Sequence, residues 1–235
     1  IRLCLLIMLL LSFGGTWAQT SFEEIDANPA KAGGVYLTYP VEEYHQTPAP
    51  KGYQPFYISH YGRHGSRFLL RDKDYKWIID LLKDADNQHA LTDLGRDLLV
   101  KLQELWPIVE GRGGDLTSVG ERQHRGIAYR MYTHYPEVFR KTKKVSARST
   151  MSLRCAMSMA AFCDELKGFS PGLEMHLEAS EKYVKYLNWQ SKESNTFADD
   201  KHGPWVEEYR KFSLAQTRPE RMCRSLFSDS IYVLK

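Results

Sequence analysis

Between residues 144 and 178 the chain alternates between two residue periods, and this constrains its fold more than any other feature. Lys144 to Ala147 reads as a short strand, the next stretch has a helical period that ends at Gly168, and Leu173-Glu174-Met175-His176-Leu177-Glu178 alternates apolar and polar residues as a strand with one wet face. Ser149 or Thr150 is the expected cap of that helix. Upstream, Phe56 to Ser59 reads as a buried strand, followed by three helices. The first is capped by Asp74 and runs through Leu82, the second covers Asp93 to Glu110 with Pro107 bending it, and the third runs from Ser118 to His134. The order strand, helices, strand, helix, strand predicts an α/β fold, a mostly parallel sheet flanked by helices with a helical insertion. Leu91-Thr92-Asp93-Leu94-Gly95 and Leu116-Thr117-Ser118-Val119-Gly120 share the pattern L-T-x-x-G, each expected to start a helix with Thr as cap and Gly as a close packing contact.

The ends carry different signals. Ile1-Arg2-Leu3-Cys4, the apolar run Leu5 to Leu11 and the small residues up to Ala18 form a secretory signal, too short to span a membrane. Residues 1–18 are therefore expected to be a signal peptide and the protein to be secreted or periplasmic. Residues 19–52, rich in Pro, Gly and Ala, read as an irregular lead-in with one short strand at Val35 to Tyr39, and residues 53–235 as the main domain. Ser225 to Lys235 is still rising in apolar content, so the domain is expected to be truncated at its C-terminus. A net charge of +3 over 235 residues, with no Lys/Arg-rich run, argues for an acidic small molecule and against nucleic acid. Of the three cysteines after the signal, Cys155 and Cys163 lie on one predicted helix about 12 Å apart along its axis. That is too far to bridge, so Cys155, Cys163 and Cys223 allow at most one disulfide.

The predicted strand at Phe56 empties into Arg63-His64-Gly65-Ser66-Arg67. In open α/β sheets ligands sit beyond the carboxyl ends of strands, where this loop would lie. A histidine that attacks phosphorus must be neutral, with one ring nitrogen free and the other held by an acceptor. Flanking guanidinium groups disfavour the imidazolium and offer planar forks to phosphate, and Gly65 lets the backbone approach an anion. On composition alone, a surface loop with solvated arginines explains the same residues. Arg71, Lys73 and Lys76 could meet further phosphates, or form a solvated helix face.

Arg63-His64-Gly65-Ser66-Arg67 resembles the R-H-G-x-R signature of the histidine phosphatase superfamily in its acid-phosphatase and phytase branch. The stretch Tyr53 to Phe68 is similar to bacterial members grouped with multiple inositol-polyphosphate phosphatases. Two later blocks agree: Gly114-Asp115-Leu116-Thr117-Ser118-Val119-Gly120-Glu121-Arg122-Gln123 resembles the family's G-x-L-T-x-x-G-x-x-Q helix start, and Arg148 to Met159 resembles its arginine-bearing strand-to-helix turn. The resemblance implies that His64 becomes phosphorylated, that Arg63, Arg67 and Arg154 grip the phosphate, and that no metal or organic cofactor takes part. Arg154 is preferred to Arg148, whose alternative is a salt-bridged strand end. His60 reads as a satisfied strand histidine.

Two departures stand out. Leu69 replaces a proline common in this branch, which predicts a slightly less rigid loop. The family's late His-Asp or His-Ala-Glu motif, whose carboxyl group protonates the leaving alcohol, does not occur, and the general acid is expected beyond Lys235. His176-Leu177-Glu178 follows Arg154 too closely for that motif and reads as a strand's polar positions. Lys201-His202-Gly203-Pro204 reads as a turn before a helix. The expected activity is hydrolysis of phosphate monoesters, with inositol polyphosphates such as phytate as leading substrates. The alternatives are a broad acid phosphatase and a noncatalytic phosphate-binding protein.

Overall fold

A computed structural model describes residues 21–39, 47–141, 143–187 and 190–233. The expected signal peptide lies outside these residues. The chain divides into two compact units, 1–45 and 46–235. The described part of the first holds α1 (Ser21–Ala27) and a 3-10 turn (Pro29–Tyr36), with Asn28 capping the turn through Ala30 N–H. Val35 and Tyr36 of the strand expected from Val35 to Tyr39 are taken up by this turn, and residues 37–39 have no ladder partner among the described residues.

In the second unit, α2 (Lys73–Asn87), α3 (Asp93–Val109), α4 (Ser118–His134) and α5 (Pro136–Lys141) precede β1 (Lys144–Ser149). Then α6 (Leu153–Phe169) leads to β2 (Glu174–Ala179), followed by a 3-10 turn (Glu181–Tyr183) and α7 (Val184–Leu187). Four further helices follow, α8 (Lys192–Asp199), α9 (Val206–Gln216), α10 (Glu220–Leu226) and α11 (Ser230–Val233). The fold is mixed α/β. β1 and β2 pair in parallel from Lys144 opposite Glu174 to Ser149 opposite Ala179, with α6 as the crossover.

Two apolar clusters organise this unit. Ile79, Leu82, Ala85, Ala90, Leu91 and Leu99 join α2 and α3, with Phe227 and Tyr232 packed against them. Ala128, Phe139, Leu166 and Leu173 bind α4, α5 and α6 to the sheet, with Ile58, Val145 and Met175 alongside. Leu82, Leu166 and Leu173 are completely buried, each stabilising the fold by about 1.5–3 kcal/mol of apolar transfer.

Several sequence expectations need correction. Residues 53–66 contain no strand, and Phe56 is 90% exposed. A strand needs a neighbour to pair its backbone groups, and among the described residues β1 pairs only with β2. Helix α2 begins at Lys73, with Asp72 at the N-cap position, and Asp74 instead pairs with Arg71 at 2.7 Å. Neither Ser149 nor Thr150 caps α6, because β1 continues through Ser149 and the helix starts after Ser152.

Candidate functional site

Both L-T-x-x-G segments form the expected caps. Thr117 Oγ1 accepts a hydrogen bond from Gly120 N–H at 3.1 Å, which satisfies one of the free donors of the first turn of α4. The Thr117 backbone N–H and hydroxyl both donate to Ser66 O, at 2.9 Å each. The Arg63–Arg67 loop is thereby seated on the start of α4. Gly65 and Gly120 meet there without side chains, since a Cβ on Gly65 would lie 2.6 Å from Gly120 Cα.

Further along the loop, an isolated antiparallel bridge joins Arg67 to Leu116, and Phe68 N–H donates to Asp115 O at 3.0 Å. Leu69 occupies the position where proline was expected, and its N–H donates to Tyr75 Oη at 2.9 Å. Proline has no such donor. The substitution therefore exchanges a ring constraint for a hydrogen bond to α2, which offsets part of the rigidity expected to be lost.

Three more backbone groups of the loop are held by side chains from two helices. His124 on α4 donates from Nε2 to Arg63 O at 3.1 Å, and Ser158 Oγ on α6 accepts from Gly65 N–H at 3.0 Å. Gln123 Oε1, also on α4, accepts from Ser66 N–H at 2.8 Å. His124 and Ser158 are themselves buried, so these contacts lie away from competing water.

The result appears at His64. Its Nδ1 lies 2.8 Å from Gly65 O, and because a carbonyl can only accept, Nδ1 carries a proton, so in the neutral ring the lone pair sits on Nε2. Burial pushes the His64 pKa below its ordinary 6.5, Gly65 O pulls it up, and the guanidinium groups of Arg154, Arg63 and Arg67 push it further down. His64 is therefore neutral and held at one nitrogen, with cationic groups around it. Burial likewise lowers the pKa values of His60 and His124.

Arg154, Arg63 and Arg67 all lie near enough for their charges to act on His64. Arg67 donates from Nη1 to Phe68 O at 2.8 Å. Arg154 reaches Gly114, where a Cβ would stand 3.5 Å from its Nη1, and its buried Nε has no hydrogen-bond partner among the described residues. Arg148 lies elsewhere, 3.6 Å from Glu178 and 4.5 Å over the Tyr183 ring. His176 is exposed on β2, and His202 sits in the turn before α9. The His60 ring stacks on Phe162 at 5.4 Å. Arg71, just before α2, is tied to Asp74, and Lys76 on α2 is tied to Asp80. None of the groups that shift the His64 pKa is a carboxylate.

The sequence reading did not assign roles to Ser158, His124 or Gln123. Ser158 follows Arg154 by four residues, one turn along the same helix face, and that spacing is the signal that would have found it. His124 and Gln123 adjoin each other in the first two turns of α4, but nothing in a single sequence says which backbone groups they meet.

Among solved structures, the chain is similar to the multiple inositol polyphosphate phosphatase of Bifidobacterium longum. The match to its complex with inositol hexasulfate has a TM-score of 0.61 at 17% identity, covering 85% of this chain and 48% of that one. The complex with phosphate gives 0.60 at 17% identity over 81% and 45%, and the apo form gives 0.56 over the same shares. At this identity the likeness is one of fold, and the chain spans about half the length of these neighbours. No protein-family model and no curated protein matches the chain.

Proposed function

We propose that this chain carries the nucleophilic half of an exported phosphomonoesterase that works through a phosphohistidine. The observation that carries the reading is the hold on His64, whose Nδ1–H meets Gly65 O at 2.8 Å while the charges of Arg154, Arg63 and Arg67 favour its neutral form. The unpartnered Nε of Arg154 adds a buried donor that costs about 1–3 kcal/mol without an acceptor, which a phosphate oxygen would supply.

In this reading the Nε2 lone pair attacks phosphorus as the arginines neutralise its equatorial oxygens. A P–N bond forms, the P–O bond to the alcohol breaks, and the alcohol oxygen takes a proton from a carboxylic acid. No described residue of this chain is assigned that role. Water then attacks the phosphohistidine, the P–N bond breaks, and phosphate leaves as the water proton passes to the carboxylate. The fold likeness to an inositol polyphosphate phosphatase favours inositol polyphosphates as substrates. The absence of a carboxylate among the groups acting on His64 keeps a second reading in view, a phosphate-binding protein without turnover.

The test has two arms. The 235-residue chain is mixed with p-nitrophenyl phosphate, whose phenolate departs without a proton, and an acid-labile phosphohistidine on His64 is expected in the wild type and not in His64→Ala. In the protein extended past Lys235, phosphate release from inositol hexakisphosphate at mildly acidic pH is expected to vanish in His64→Ala. Retention of more than a small fraction of that release overturns the reading. A phosphohistidine that never forms, with inorganic phosphate still bound, establishes the binding protein instead.

A further inference from the structure

We infer that Gln123 is a positioning residue that sets the tautomer of His64 through the Gly65–Ser66 peptide. The Gly65 carbonyl and the Ser66 N–H belong to one planar trans peptide, so they point to opposite sides of it and turn together. Gln123 Oε1 holds the N–H end at 2.8 Å, and His64 Nδ1–H meets the carbonyl end at 2.8 Å. No rotation of that plane keeps one bond and loses the other.

The plane needs such a hold. Gly65 has no Cβ, so its own torsions restrain the peptide little, and the Gly120 backbone bars any side chain there. Ser158 fixes the preceding peptide through Gly65 N–H and Thr117 the following one through Ser66 O, which leaves a coupled turn of Gly65 ψ and Ser66 φ as the open motion. Gln123 removes that freedom. Ser66 N–H can only donate, so it must face the oxygen of the amide, and Gln123 Nε2 is the atom left buried without a partner among the described residues.

Without the Gln123 oxygen, Ser66 N–H turns to find another acceptor and carries the Gly65 carbonyl off Nδ1. The imidazole proton then shifts toward Nε2, the atom that must present a lone pair to phosphorus. Gln123 acts on the ring through the backbone, and the guanidinium groups that would bind phosphate stay in place. The kinetic consequence rests on the phosphohistidine reading, whereas the tautomer is measurable whether or not the protein turns over.

The experiment uses the 235-residue chain labelled with 15N at histidine, with the ring tautomer of His64 read from long-range 1H–15N spectra near neutral pH. The wild type is expected to show Nδ1–H. Gln123→Leu and Gln123→Met, which fill similar space without an oxygen, should lose most of that population. Gln123→Glu keeps an acceptor for Ser66 N–H and should retain it. With p-nitrophenyl phosphate, the Leu and Met variants should form phosphohistidine about tenfold to hundredfold more slowly, with half-saturation changed less than about twofold. Retention of Nδ1–H in a folded Leu or Met variant overturns the inference, as does its loss in a folded Glu variant. If no phosphohistidine forms in the wild type while the tautomer follows this order, the phosphohistidine reading falls and the positioning role stands.

Discussion

The segments Leu91–Gly95 and Leu116–Gly120 are built alike and hold different things. In each, the leucine makes an isolated antiparallel bridge, to Phe227 in the first and Arg67 in the second. In each, the threonine hydroxyl takes the N–H of the glycine three residues on, at 3.1 Å. Thr92 N–H donates to Leu226 O at 3.0 Å and its hydroxyl to Ser225 O at 2.6 Å, while Thr117 gives both donors to Ser66 O. Gly95 accepts the backbone at Leu226 and Gly120 accepts the backbone at Ser66. One device clamps the end of α10 to α3, and the other clamps the His64 loop to α4. The difference teaches that a helix start can serve as a generic docking surface for a passing carbonyl, and that function depends on which carbonyl arrives.

The glycines give the largest expected effect. Gly95→Ala and Gly120→Ala each drive a Cβ into fixed backbone, so each should destabilise the fold by about 3 kcal/mol, at the upper end for overpacking. Urea unfolding monitored by circular dichroism measures both. Only Gly120→Ala should also abolish phosphohistidine formation in whatever fraction remains folded. Equal loss of chemistry in the two variants would break the proposed division between structural and functional clamp.

Thr92→Ala and Thr117→Ala are expected to cost about 1–2 kcal/mol each, the usual range for a lost threonine cap. Here the comparison sharpens, because Thr117 also holds Ser66 O, and its loss alone should slow labelling of His64. Leu69→Pro should cost about 0.5–1.5 kcal/mol by removing the donor to Tyr75 Oη, and Tyr75→Phe should destabilise in the same direction. A stabilised Leu69→Pro variant would show that ring rigidity outweighs that bond.

The gentlest effect is that of pH, and it should come from the α4–α6 side. The unfolded chain protonates His60, His64 and His124 near 6.5, while burial makes the folded chain protonate them only at lower pH. Their contribution to stability is therefore complete above that value and declines as pH falls through it. The urea midpoint should drop between about pH 7.5 and pH 5.5, a window above ordinary carboxylate titration. No drop would mean that these rings are not held neutral.

Much of this was legible in the residues. Thr117 and Gly120 could be read because a cap and a close approach are local in sequence, and α4 runs from Ser118 to His134 as its period predicts. Arg154 could be separated from Arg148 on the resemblance, and the structure sends Arg148 to Glu178. The failures were of another kind. Phe56 to Ser59 has the composition of a strand, yet strand formation depends on a neighbour that periodicity cannot report. Ser158, His124 and Gln123 act on backbone atoms far away in sequence; the four-residue spacing from Arg154 points to Ser158, but no local pattern encodes which backbone groups His124 and Gln123 meet.

Those meetings also bear on the order in which the molecule assembles. Gly65 and Ser158 are 93 positions apart, Arg63 and His124 are 61 apart, and Ser66 and Gln123 are 57 apart. Contacts of such span form against a loop-closure entropy that local helices never meet. The α2–α3 pair can gather early from neighbouring turns, whereas the shape of the His64 loop waits for α4 and α6 to dock. The loop around His64 is therefore expected to take its shape late in folding, after closures of 57 to 93 positions, whereas the still longer closure of 133 positions from Thr92 to Ser225 serves a different part of the fold.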